Sequence, residues 1–298
     1  MKQDTLVLSE WKDLAEELKA QGVGIVYVMG APDQGKTTFC RFLVQELSAD
    51  TLTGFLDCDT GQSTIGPPAT VGLALYAGTF PEPQETFLRF VGSIAPSGHL
   101  VQELVAAARL LATARARMAR YIIIDSPGWV VGPAAVEFQV RMIDLLSPDR
   151  VVAIRRGPEL GEILVNFRHR PGMTIHRFFP HPAVRARTPG WRSQYRTGQF
   201  KAYFAESSET VVSLAGIGMH GRVPERFCDD DWRGLLLALC DHGMMVIALA
   251  VVERVDAVHH TVCIRSPAQD PGGIGSIHIG SLYLDPETGR TAGRPRHA

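Results

Sequence analysis

The chain has 298 residues, 45% of them hydrophobic and 20% charged, a balance that suits a globular protein with its own core and excludes a disordered chain. Thirty basic residues stand against thirty-one acidic ones, so no global field draws in polyanions and any nucleic-acid contact must come from a local basic surface. Five scattered cysteines (Cys40, Cys58, Cys228, Cys240 and Cys263) form no C-x-x-C pair and exclude a simple secreted disulfide framework.

In chain order, Trp11, Leu14 and Leu18 recur at helical spacing behind Ser9, which suits an N-cap, so a short amphipathic helix is expected over 10–20. The N-terminal stretch carries charges where a signal peptide needs an apolar run, and no segment approaches ~18 uncharged apolar residues. A soluble cytoplasmic protein with no membrane partner is the expectation. Val23 to Met29 reads as a strand, 30–36 as a Gly-rich loop, and Thr37 to Leu47 as a helix. A second strand near 52–57 ends in acids and a helix covers about 100–119. YIIID (121–125) is a continuously apolar strand of the kind buried on both faces. A helix over 134–146 and the strand VVAI (151–154) continue the alternation, which predicts an α/β core with a parallel sheet flanked by helices.

After about residue 205 the alternation stops. Segments 210–218, 244–255, 258–265 and 274–285 are short, rich in Val, Ile and Leu, and punctuated by Gly and Pro, which predicts a smaller β-rich C-terminal domain. The expected organisation is therefore 1–205 and 206–298, with a frayed tail over 289–298 and neither repeats nor low-complexity segments.

Gly30-Ala31-Pro32-Asp33-Gln34-Gly35-Lys36-Thr37-Thr38 fits G-x-x-x-x-G-K-[ST] in the strand–loop–helix context the P-loop motif needs. Its glycines let the backbone curl so that successive N–H groups point at phosphate oxygens, while the helix adds its positive end. Lys36 is a cation for the β and γ phosphates, and the Thr37 hydroxyl is a ligand for Mg²⁺. The motif binds ATP or GTP, but alone it serves GTPases, motors and kinases alike.

The segment Phe55-Leu56-Asp57-Cys58-Asp59-Thr60-Gly61-Gln62 puts two carboxylates at i and i+2 as the second strand leaves the sheet. Both would share one face if the strand continued, at the crevice where ligands bind. One acid can take a proton from an attacking hydroxyl while the other holds Mg²⁺, and Asp125, ending YIIID, is a second metal candidate. Turn-forming acids in a loop are the blander alternative. Between Arg150 and Lys201 arginines crowd, with no acid between Glu162 and Glu206, whereas a solvated face usually mixes its signs.

Several blocks together resemble the P-loop polynucleotide 5′-hydroxyl kinases related to the kinase of the pre-mRNA cleavage machinery and to those of ribosomal RNA processing. They are GAPDQGKTT, LDCDTGQSTIGPPATVGL, GSIAPSGH, IIIDSPGWVVG and the lid end RSQYRTGQFKAYF, and the resemblance spans about residues 22–285. The resemblance implies an Arg-rich lid over about 155–204 and a reaction that moves the γ-phosphate of ATP, or GTP, to the 5′-hydroxyl of RNA or DNA. It implies Asp59 as general base, Gln62 and Ser97 near the substrate, and Trp129 as the clamp on the terminal nucleotide. A base stacked on such an aromatic ring gains ~1–3 kcal/mol irrespective of sequence. Arg187, Arg192 and Arg196 match the lid spacing, and on a helix over 192–202 the last two project one turn apart. Pro189-Gly190 is expected to shorten that helix. A small-molecule kinase and an ATP-binding assembly factor without transfer activity are the alternatives.

Overall fold

The computed structural model describes residues 7–78, 80–268 and 272–292. The expected frayed tail lies largely outside them, since 293–298 are not described. In chain order the elements are α1 (Ser9–Gln21), β1 (Gly24–Met29), α2 (Lys36–Ser48), β2 (Thr53–Asp57), β3 (Thr70–Tyr76), β4 (Glu85–Phe90), α3 (Leu100–Ala116), β5 (Tyr121–Asp125), α4 (Pro133–Leu146), β6 (Arg150–Ile154), the single turn α5 (Gly161–Leu164) and β7 (Thr174–Phe178). They continue with α6 (Pro189–Tyr203), β8 (Ser208–Ser213), β9 (Gly218–Gly221), the single turn α7 (Asp229–Trp232), β10 (Leu235–Cys240), β11 (Val246–Asp256), β12 (Thr261–Ser266), β13 (Ser276–Leu284) and β14 (Thr291–Ala292). No helix among the described residues is long and apolar enough to cross a membrane.

The first sheet has the order β4-β3-β2-β5-β1-β6-β7, and its run from β2 to β7 is parallel, as the alternation of strands and helices requires. Every residue of β2, β5 and β6 is buried, because helices cover both faces of a parallel sheet. Strand β3, between β2 and the edge strand β4, runs antiparallel to β2. Helix α1 is held to this core by Arg150, 4% exposed at its side chain, which donates to Glu17 at 3.0 Å and also to Gln21. Ser9 is the first residue of α1 rather than its N-cap: Leu8 holds that position, with no side-chain cap.

The second sheet is antiparallel apart from β9, with the order β14-β13-β10-β11-β12-β8 and β9 alongside β13 in parallel. Its central strand, LLLALC, is buried throughout because its two faces feed two different cores. Leu235, Leu237 and Leu239 pack with Trp232, Val252 and Ile264, while Leu236, Ala238 and Cys240 pack with Phe90, Phe200 and Phe204. Such a run has no polar alternation, which is why the strand is absent from the sequence expectations.

Two compact units follow from the contacts: Met1–Asp59, Gly72–Thr86 and Glu103–Arg187 form one, and Thr60–Val71, Phe87–Gln102 and Thr188–Ala298 form the other. The α/β alternation ends near 205 along the chain, whereas the units interleave, the second taking in two inserted stretches and all of α6. Leu237→Ala should destabilise the protein by about 2–5 kcal/mol, and Val211→Ala, on a side chain 60% exposed, by no more than about 0.5 kcal/mol. Urea unfolding of both variants measures the contrast.

Candidate active site

The phosphate loop leaves β1 at Met29 and enters α2 at Lys36. Gly30 is required by a close approach: a Cβ there would stand 2.5 Å from the Ile154 carbonyl oxygen at the end of β6. Gly35 has φ +89°, the left-handed region in which glycine carries no Cβ penalty. Lys36 is buried, and its Nζ donates to the Ala31 carbonyl at 3.2 Å, so the cation folds back over the loop.

Parallel pairing then delivers the acids. Asp57 and Asp125 are register partners at the carboxyl ends of β2 and β5, and Val28, two residues before the loop, is the partner of Asp125 on the other side. The Thr37 hydroxyl donates to Asp125 Oδ2 at 2.5 Å, while Oδ1 of the same carboxyl is buried without a hydrogen-bond partner among the described residues. Burial pushes the Asp125 carboxyl up to about 7, opposed by Lys36 and supported by Asp57. The donor set at this point is all oxygen, and an inward-facing carboxylate oxygen beside a threonine hydroxyl suits a hard cation held jointly with phosphate.

Strand β2 ends at Asp57, and the Asp57 carboxylate accepts the Asp59 N–H at 3.0 Å. The shared face expected for a continuing strand is therefore replaced by a turn, with Asp59 just past the strand end and partly exposed. Cys58 N–H donates to the Asp125 carbonyl at 3.0 Å, which pins this exit to β5. Lys36, Asp57 and Asp59 all act electrostatically on Asp125, so they gather at one end of the sheet.

Trp129 is partly buried, its ring 6.0 Å from that of Phe138. Gly128 before it lies against Pro32 of the phosphate loop, where a Cβ would come within 3.0 Å of the backbone. Buried Gln139 organises this corner: it donates to the Pro127 and Trp129 carbonyls and accepts from the Tyr27 hydroxyl at 2.7 Å. The Arg187 N–H donates to the Asp33 carboxylate at 3.0 Å, and Val184 lies within reach of a Cβ on Gly35. The stretch before α6 thus borders the phosphate loop within the first unit.

Gln62, Ser97, Arg192 and Arg196 belong to the second unit. Gln62 sits in a compact loop closed by the Ala69 N–H on the Thr60 carbonyl, and Ser97 is exposed on a turn closed by the His99 N–H on the Pro96 carbonyl. Arg192 and Arg196 are one turn apart on α6. Pro189 opens that helix instead of shortening it: Thr188 caps it by accepting the Trp191 N–H, and proline at the first helical position has no N–H to waste. The crowd of arginines divides by role. Arg150 is structural, Arg155 donates to the Gly157 carbonyl and Arg170 pairs with Asp144.

Glu103 and Gln139 are absent from the sequence expectations although both carry a signal, since each falls in step with an apolar stripe: Ala106, Ala107, Leu110 and Leu111 on α3, and Ala135, Phe138, Met142 and Ile143 on α4. Glu103 is completely buried, with neither carboxyl oxygen hydrogen-bonded among the described residues. Burial, reinforced by Asp59, pushes its carboxyl well up, so it is held neutral.

A strand–loop–helix cradle with an intact Lys-Thr pair and an acid closing the neighbouring strand defines a P-loop nucleotide-binding protein. The family model described as mRNA cleavage and polyadenylation factor CLP1 P-loop matches residues 30–206, and the chain belongs to that family. A polyribonucleotide 5′-hydroxyl-kinase of Pyrococcus furiosus is 32% identical over 200 residues, 66% of this chain and 55% of that protein. One of Methanocaldococcus jannaschii is 30% identical over 206 residues, 67% of this chain and 54% of that protein. The chain thus spans about half the length of these curated relatives. A solved complex of Clp1p with a segment of Pcf11p shares the fold, with a TM-score of 0.73 at 12% identity over 94% of this chain and 80% of that one.

Glu103 supplies a test of the site's electrostatics. A carboxyl held neutral in the fold contributes its full stability below the ordinary value of 4.5 and loses it as pH rises, because the unfolded chain ionises first. Glu103→Gln should therefore gain stability over the parent as pH rises above that value, by up to about 1.4 kcal/mol per pH unit. Thermal unfolding from pH 4.5 to pH 8 reads the gap; a constant gap would show that ionisation of Glu103 is not its cause.

Proposed function

We propose that this chain is a polynucleotide 5′-hydroxyl kinase that moves the γ-phosphoryl group of ATP, or GTP, to the 5′-hydroxyl end of RNA or DNA. One observation carries the reading: Lys36, Thr37, Asp57, Asp59 and Asp125 gather at the carboxyl end of adjacent parallel strands, beside a glycine-rich cradle. That is the equipment for in-line phosphoryl transfer to an alcohol. The names of the archaeal relatives support the choice of acceptor.

The loop Gly30–Thr38 holds the triphosphate through backbone N–H groups, with Lys36 on the β and γ phosphates. Thr37, Asp57 and Asp125 would hold Mg²⁺, which supplies charge neutralisation on the phosphates. Asp59 orients the acceptor hydroxyl and takes its proton as the 5′-oxygen bonds to the γ-phosphorus. The bond from that phosphorus to the bridging oxygen breaks, and the nucleoside diphosphate leaves. Gln62, Ser97 and Trp129 are assigned to the acceptor end. Arg187, Arg192 and Arg196 are assigned to the charge that spreads over the phosphoryl oxygens in the transition state.

Incubation with Mg²⁺, γ-labelled ATP and matched 5′-hydroxyl RNA and DNA oligomers should place label on the oligomer's 5′ end. Asp59→Asn should lower turnover by about 10²–10⁴-fold while nucleotide affinity is kept. Lys36→Ala should weaken both. Label on a nucleoside and not on an oligomer would make the protein a small-molecule kinase, and nucleotide binding without any transfer would make it an assembly factor.

A further inference from the structure

Helix α6 carries more than its arginines. Trp191 and Tyr195, one turn apart, stack with ring centroids 5.3 Å apart and planes only 13° from parallel. The Tyr195 ring is fixed by its hydroxyl, which donates to the Ser63 carbonyl at 3.1 Å and accepts from Gln199 Nε2 at 2.9 Å. Ser63 adjoins Gln62 in the loop closed at Thr60 and Ala69. Trp191 remains 39% exposed.

The base of the helix is anchored too. Phe200 and Phe204 are buried in one of the cores of the second sheet, and the Tyr203 hydroxyl accepts the Leu249 N–H at 2.9 Å. The aromatic pair is therefore built before any ligand arrives. Its neighbours along the chain carry one sign of charge: Arg192, Arg196 and Lys201 share its helix, and no acid occurs in the sequence from 163 to 205. A flat aromatic face among cations is the chemistry that binds single-stranded nucleic acid, with bases stacked on the ring and phosphates near the guanidinium groups.

We propose that the Trp191–Tyr195 stack is a base-stacking platform for the acceptor strand, taking a base other than the terminal one. The inference rests on the kinase reading for the identity of the strand. The platform favours oligomers over mononucleotides without selecting sequence, because every base offers a π-face. Tyr195 acts as a positioning residue that holds the Trp191 ring, and Trp191 meets the base.

The test compares the parent protein with Trp191→Ala and Trp191→Phe, after checking that all melt at the same temperature. Acceptors are a 5′-hydroxyl hexa-adenylate RNA and adenosine 3′-monophosphate, with ATP as donor. Trp191→Ala should raise KM for the hexamer on the order of 5- to 150-fold, and leave KM for the mononucleotide and for ATP unchanged. Trp191→Phe should restore most of the loss. An unaltered hexamer KM overturns the proposal, as does an equal loss with the mononucleotide. A loss confined to ATP overturns it as well, since the occupant would then be the donor's base. Anisotropy of a 3′-fluorescein hexamer separates this inference from the kinase reading. Binding that depends on Trp191, without transfer in the parent, sustains the platform and removes the kinase, whereas no binding to the parent removes both.

Discussion

The parallel register of β2, β5 and β1 is the constraint on which the site depends. Neighbouring parallel strands run about 4.8 Å apart, so pairing Asp57 with Asp125 forces two carboxylates side by side at the sheet's mouth. Both are buried, and Asp59 and Glu103 add further acidic groups nearby, against which Lys36 acts as a cation. Burial away from water raises the proton affinity of both carboxyls and the neighbouring acids add to it, so Asp125 is held near 7 and Glu103 is neutral. A divalent cation reverses that logic, making the ionised carboxylates the favoured form. The same crowding that disfavours charge therefore suits the site to a metal nucleotide.

The phosphate loop is legible in the chain because its chemistry dictates residue types. A side chain at Gly30 would meet the Ile154 carbonyl, Gly35 adopts a left-handed backbone, and Lys36 and Thr37 have functional groups with few substitutes. The buried strands β5 and β6 are legible for a related reason: two-sided burial leaves nearly unbroken apolar runs, with charge only at Asp125 and Arg150 at their ends. The same burial hides β10, since its continuous apolar run stands outside the alternation with helices that marks β5 and β6. The interleaved units are not legible at all. They arise from contacts such as Ala69 with Val91 and Gly92 with Ser281, which join distant parts of the chain and leave no local pattern.

Buried polar residues form a second kind of information that becomes clear only in three dimensions. Gln139 looks like one polar position on an amphipathic helix, yet its amide joins Tyr27 of β1 to the carbonyls flanking Gly128. Gly128 in turn lies against Pro32, so a glutamine on α4 helps to set the wall of the phosphate loop. A fully bonded buried amide is rigid, because each partner lost leaves a desolvated group behind. Glu103 is the contrasting case, a buried carboxyl with no such bonds among the described residues, kept neutral by its burial.

Density of charge in the sequence turns out to be a poor guide to role. Arg150 stitches α1 to the core, Arg155 closes its own turn, and Arg170 answers Asp144, so these members of the basic run are accounted for by folding. What distinguishes α6 is company: its arginines share a helix with a stacked, tethered aromatic pair, and its far end is buried in a hydrophobic core. A rigid root and a tethered tyrosine ring make the aromatic pair inexpensive to order on binding, since its stacking is already in place. Helix, aromatic stack and cations thus act as one preorganised surface, and it is this combination, more than the number of arginines, that gives the segment a chemistry suited to a polyanionic chain.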